Sequence, residues 1–352
     1  MSLDVTGSYR YPNPNLLWLD QRSEQILDPE LPIIDPHHHI WEQEGNRYHL
    51  DDLMSDLNSG HNILATVFVQ AHYGHWDSGP PELRCVGETE QIEILIAEAK
   101  RRNIPTHVCA AIVGFADLML GENVAPVLEA HLSMSPERFR GVRHSVSRDP
   151  NFPNGIVLRP APAGMLGDSN FRAGLKTLTK HGLTFDAMLY HRQIPELTAM
   201  AQALPDLRIV LDHFGCIIGV GPYRGREQEN FALWRDDIRE LSKCPNVSIK
   251  LGGLGMVICG PTYHERPEPP SSEKLAEDWR PYVETTIESF GVQRCMFESN
   301  FPVDKAMFSY SILWNAFKRL ASGSTSDEKA YLFHRAAADF YGLLNVLPET
   351  QT

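Results

Sequence analysis

The chain has 352 residues, 42% hydrophobic and 22% charged, which is enough apolar material for a large folded core. A formal net charge of -13 excludes nucleic acid and anionic membrane as the main partner, because phosphate binding needs clustered Lys and Arg. The six cysteines are scattered without CxxC spacing, which argues against a zinc knuckle or a dense disulfide framework and suggests a reducing, cytoplasmic setting.

Residues 1–30, with Pro12, Pro14 and Pro29, read as an N-terminal arm that wraps the body. No window approaches the length of apolar chain that crosses a bilayer, so no membrane span is expected. From residue 33 onward, short Val- and Ile-rich runs alternate with longer amphipathic stretches, a βα rhythm. Strands are predicted over 33–40, 65–71, 107–113, 139–144, 183–189, 208–212, 246–251 and 294–300, and helices over 89–102, 170–181, 194–203, 230–242 and 273–290.

This pattern predicts an α/β fold, a single (β/α)8 TIM barrel over 31–345 that ends in a C-terminal helix and a short tail over 346–352. A doubly wound sheet is the alternative, but neither GxGxxG after a strand nor GxxxxGK[ST] is present. Two proline-rich segments, 147–167 after the fourth strand and 259–272 after the seventh, fall where loops shape a barrel's pocket and read as rim or lid loops.

The first strand reads IIDPHHHIW. A period of two puts Asp35, His37 and His39 on one face and His38 on the other. Two imidazoles on one face suit a metal, or the polarisation of a carbonyl without one. In IVLDHFG, His213 ends an apolar strand and points to the barrel mouth, with Asp212 beside it. FRGVRHS offers Arg143 and His144, the guanidinium being suited to bidentate capture of a carboxylate. Lys250 in VSIKLGG is a candidate substrate contact or the partner of Glu298. In RCMFESNFPVD, alternation groups Met296, Glu298 and Asn300, with Asp304 in the loop beyond.

The ordered set DPHHHIW, TVFVQA with Gln70, VGE with Glu88, FRGVRH, LDHFG, VSIKLGGL, MFESNFP and LFHRAAADFYGL resembles the amidohydrolase superfamily. It is similar to the branch of barrel lactonases that includes L-fuconolactonase and 2-pyrone-4,6-dicarboxylate lactonase. The resemblance implies a hydrolase that opens a lactone or related cyclic ester of a small carboxylated or sugar-derived substrate. A non-oxidative decarboxylase of an aromatic or muconate-like acid and a non-catalytic ligand-binding barrel are the rival readings.

By motif, His37, His39 and His213 match the family's pocket residues. With Asn300 and Asp304 they are the expected catalytic set, and the three histidines are the expected ligands of one divalent metal, zinc first, with a metal-free reaction as the alternative. Gln70, His72, Arg143, His144 and Lys250 are the expected substrate contacts. Relatives end the eighth strand with an aspartate that activates water, whereas this chain has Asn300, a neutral amide and a poor base. Glu298 lies about 6 to 7 Å deeper in an extended strand and is expected to anchor Arg143 or Lys250 instead. Asp304, a histidine or a loop carboxylate then becomes the candidate base. The expected partner is a small molecule, with a homo-oligomer as the expected assembly.

Overall fold

The computed structural model describes residues 11–43, 46–156 and 159–347, so the first ten residues of the arm and the tail from 348 lie outside the described residues. Eight strands form one sheet in chain order: β1 Pro32–His38, β2 Asn62–Val69, β3 His107–Gly114, β4 Phe139–Arg143, β5 Thr184–Ala187, β6 Ile209–Leu211, β7 Val247–Leu251 and β8 Cys295–Phe297. Every neighbouring pair is parallel. The predicted helices are present with shifted ends, at Val86–Arg101, Ser169–Lys180, Ile194–Ala203, Glu227–Leu241 and Ser272–Phe290. The sheet curls into the nearly closed (β/α)8 barrel that the rhythm implies.

Local chemistry fixes where these helices start. Asp168 accepts from the N–H groups of Asn170 and Phe171, and Ser271 accepts from Lys274, each satisfying amides that the first helical turn leaves free. The helix Ser169–Lys180 buries Phe171, Leu175 and Leu178, one stripe at helical spacing, on the outside of the barrel.

The lower barrel interior is aliphatic. Ile34, Ala65, Val67, Val69, Ala111, Val113, Val210 and Met296 pack together, and the helix Ala336–Tyr341 adds Phe340 and Tyr341 to the same cluster. At about 25 cal/mol per Å² of apolar surface, burying side chains of this size contributes about 1.5 to 3 kcal/mol each. The lower barrel is thus a packed plug, and chemistry is left to the mouth.

Two irregularities shape that mouth. The β1–β2 register shifts between Asp35 and His38. Asp35 therefore does not share a face with His37 and His39. Its carboxylate accepts from Ser299 N–H (3.0 Å) and Tyr310 O–H (2.9 Å), away from the imidazole pair. The second is the seam between first and last strands, which closes only near the mouth. There Asn300 N–H donates to His37 O (2.9 Å) and His39 N–H donates to Phe301 O (2.8 Å). Backbone bonds thus fix the height of Asn300 against His37.

Among the described residues no helix is long and apolar enough to cross a membrane.

Candidate active site

His37, His39, His213, Arg143, Lys250 and Glu298 come from five different strand ends and meet at the mouth. His39 and His213 are each oriented by a partner that accepts. The Nδ1–H of His39 donates to the Val69 carbonyl (2.8 Å), and that of His213 donates to Glu298 Oε1 (2.6 Å). Their Nε2 atoms are therefore the unprotonated positions of the neutral rings. His37 Nδ1 lies 2.8 Å from Glu298 Oε2 and 3.2 Å from Lys250 Nζ, while its Nε2 lies 3.3 Å from His39 Nε2. Burial, then Arg143 and His37, holds His39 well below the usual imidazole range, so it is neutral at physiological pH.

Glu298 is the hub of this arrangement and does not anchor Arg143 or Lys250 as expected. Its Oε1 accepts from His213, and its Oε2 lies in ion-pair range of His37 without a hydrogen bond among the described residues. Burial pushes its carboxyl up, but His213 and His37 outweigh burial and hold it down at about 2. The reason is depth: two residues below Asn300, Glu298 is level with the Nδ1 atoms of both rings.

Two glycines make the room. A Cβ on Gly252 would fall 2.5 Å from Glu298 Cγ, and one on Gly253, where φ is +72°, would fall 2.6 Å from His213 Nδ1. VSIKLGG carried that signal in its glycines as well as in its lysine.

Lys250 is fully buried beneath the site and does not line the cavity, which corrects its expected role as a substrate contact. Its ammonium bonds Asp186 Oδ2 (2.7 Å) and pairs with Asp212 Oδ1 (3.0 Å). Burial disfavours the ammonium, but Asp186, Asp212 and Glu298 outweigh it and keep the lysine charged. Tyr341, from the plug helix, donates to the same Asp186 oxygen (2.6 Å). Neither Asp186 nor Tyr341 was singled out from the sequence, because the contacts that define them are with elements remote in the chain.

Above this floor lies a cavity of about 600 Å³. Of the expected residues, His39, Gln70, His72, Arg143, His144, His213 and Asn300 line it. His37 is buried directly behind His39 and Arg143. Asp304 does not line the cavity: Asn300 Nδ2 (3.0 Å) and Gly255 N–H (3.1 Å) donate to it from in front, and burial raises it to about 7. No Asp or Glu belongs to the described lining, which instead carries Arg143, Arg159 and four histidines. Arg143 donates to the Gln70 carbonyl, yet its Nε and Gln70 Oε1 are buried without a hydrogen-bond partner among the described residues. Both residues also line the cavity, whose polar wall fits a polar ligand. Of the two expected rim loops, the first contributes Arg159 to the lining, whereas 259–272 packs against the N-terminal arm.

The expected metal ligands do not assemble as a trio. Among the described residues the group with metal-like spacing is His37, Asp212 and His213, whose ligand atoms lie within 4.8 Å of one another. The residue types suit zinc. The placement does not, because Lys250 Nζ sits 3.0 Å from Asp212 Oδ1 and 3.2 Å from His37 Nδ1. An ammonium already neutralises the carboxylate that a dication needs, and Arg143 adds a second cation 3.3 Å from His37 Nε2.

A parallel barrel with first-strand histidines, a histidine after the sixth strand and a carboxylate on the eighth defines an amidohydrolase-like hydrolase. The family model described as "Amidohydrolase" matches residues 34–343, and the chain belongs to this family. The uncharacterized protein y4mH of Sinorhizobium fredii is 31% identical over 334 residues, covering 89% of this chain and 99% of that protein. An L-fucono-1,5-lactonase of Burkholderia multivorans is 24% identical over 336 residues, covering 88% of this chain and 96% of the lactonase. The fold is similar to the crystal structure of an amidohydrolase from Burkholderia multivorans with bound zinc (TM-score 0.66, 22% identity, 88% of this chain and 99% of that one). The chain is thus an enzyme of hydrolase type with relatives named as lactonases.

Proposed function

We propose that this enzyme opens a lactone or related cyclic ester of a small carboxylated or sugar-derived molecule. The observation that carries the reading is the Glu298–His213 pair, an ionised carboxylate 2.6 Å from Nδ1 of an imidazole whose ring lines the cavity. In this reading His213 Nε2 takes a proton from water as the water attacks the lactone carbonyl. Glu298 orients the ring and stabilises the imidazolium, a role worth about 10²- to 10⁴-fold in rate for a positioned base. The neutral His39 is the second basic nitrogen at the wall.

Negative charge grows on the carbonyl oxygen, and the Arg143 guanidinium at the cavity wall receives it. Collapse of the tetrahedral intermediate breaks the ring C–O bond, and the imidazolium returns its proton to the departing alkoxide. Arg159 and His144 flank the cavity and suit a substrate carboxylate, which no lining carboxylate opposes.

The steps run without a metal, since Lys250 and Arg143 supply the positive charge around Asp212 and His37. The six cysteines are all free thiols, which supports a reducing, cytoplasmic setting. A panel of lactones followed with a pH indicator, with and without chelator, tests the proposal. Acid release that survives chelation is expected. Failure to open any lactone sinks the reading, and activity lost to chelator and restored by zinc sinks its metal-free form.

A further inference from the structure

The N-terminal arm reaches the cavity and completes its wall. Its course is pinned by hydrogen bonds to residues distant in sequence. Trp18 Nε1–H donates to Arg266 O (2.9 Å), and Arg22 Nε–H donates to Pro269 O (3.2 Å). Ser272 N–H donates to Glu24 Oε1 (2.8 Å), and Lys318 Nζ donates to Leu27 O (2.7 Å). Such anchors hold residues 18–27 against the loop after β7 and the helix Tyr310–Leu320. The chain upstream then carries Tyr11 to the cavity lining, beside Met256.

Among the described residues the Tyr11 hydroxyl meets only the Met256 thioether, at 3.9 Å. Sulfur of this kind is a weak acceptor. Burial, with Tyr190 and Cys216 adding to it, raises the phenol well above its usual range, so the group remains a donor. A donor held at a cavity wall with so poor a partner is one whose hydrogen bond a ligand oxygen completes. The arm also precedes residue 34, where the family match begins, so Tyr11 lies outside the segment that the family model describes.

We infer that Tyr11 is a substrate-contacting residue: its O–H donates to an oxygen of the bound carboxylated substrate, and the arm that carries it limits which substrates fit. The kinetic form of this inference rests on the lactone-opening reading. On the lactone the wild type opens best, Tyr11→Phe is expected to raise KM about tenfold with kcat within about twofold, because one hydrogen bond to bound substrate is lost. The unfolding midpoint stays unchanged, since only a thioether contact disappears. Tyr11→Ala, which removes the wall, raises KM further and admits bulkier lactones.

A KM for Tyr11→Phe within about twofold of wild type overturns the inference. A lowered unfolding midpoint with no change in KM assigns the hydroxyl to structure and overturns it equally. If the wild type opens no lactone, the lactone-opening reading fails by itself, and calorimetric titration with citrate as a polycarboxylate probe reads the wall alone. Citrate bound about tenfold more weakly by Tyr11→Phe supports the contact. Equal affinity in the two proteins, or no binding by the wild type, refutes it.

Discussion

Replacing Glu298 with Gln removes one charge from the floor of the site and tests the hub directly. The glutamate is fully buried and falls from the usual 4.5 to about 2, which means its surroundings favour the ionised form. At about 1.4 kcal/mol per pKa unit, this difference amounts to roughly 3 kcal/mol of folding stability. Because the folded value is depressed, that contribution is fully present above 4.5 and is lost as pH falls toward 2. Glu298→Gln should therefore unfold at lower urea than wild type near neutrality, by about 3 kcal/mol, and the gap should narrow only as pH falls from about 4.5 toward about 2. On any lactone the wild type opens, kcat should fall about 10²- to 10⁴-fold, since the amide no longer stabilises the His213 imidazolium. Urea curves across pH, paired with initial rates, measure both effects. A variant with wild-type stability at neutral pH and kcat within about threefold would refute the assignment of Glu298 as the hub.

The remaining expectations concern its neighbours. Arg143→Lys keeps a cation but loses the planar fork, and kcat/KM should drop about 100-fold; unchanged kinetics would remove Arg143 from the oxyanion role. Lys250→Met strips the ammonium from between Asp186 and Asp212 and should cost about 3 to 5 kcal/mol. The same variant should take up zinc after dialysis, and zinc content equal to wild type by elemental analysis would refute the view that the ammonium fills that position. Asn300→Asp places a carboxylate 3.0 Å from Asp304, which already titrates near 7. A raised carboxyl holds its proton when folded and not when unfolded, so this variant should lose stability as pH rises, by roughly 2 kcal/mol at about pH 9, and equal urea midpoints at about pH 6 and pH 9 would contradict it. Finally, His37→Ala combined with His39→Ala should abolish turnover, and wild-type rates in that protein would dissolve the site.

Much of this molecule was legible in one dimension. The period of two along each strand and the amphipathic stretches between them were enough for a barrel, because burying a strand on both faces demands runs such as TVFV and IVL. Helices were readable from the amphipathic stretches, while the capping oxygens of Asp168 and Ser271 emerged with the structure. The histidines at 37, 39 and 213 stood out because imidazole at a strand end is costly unless something uses it. Where strict alternation failed was Asp35, since a register shift before His38 turns it away, and no periodicity rule anticipates a bulge.

The partnerships were decided by tertiary structure. Residue types announced that Glu298, Lys250 and Arg143 were charged and near the mouth, but which cation met which anion depends on depth. Closing the seam at Asn300 and His37 sets Glu298 level with two imidazoles and leaves Lys250 to Asp186 and Asp212. Tyr11 depends still more on the fold, being more than 240 residues from Met256 in sequence and 3.9 Å from it in space. Sequence determines which side chains can bear charge or donate a proton, for that is covalent chemistry. Pairing and protonation follow from distance and burial, which exist only once the barrel has closed.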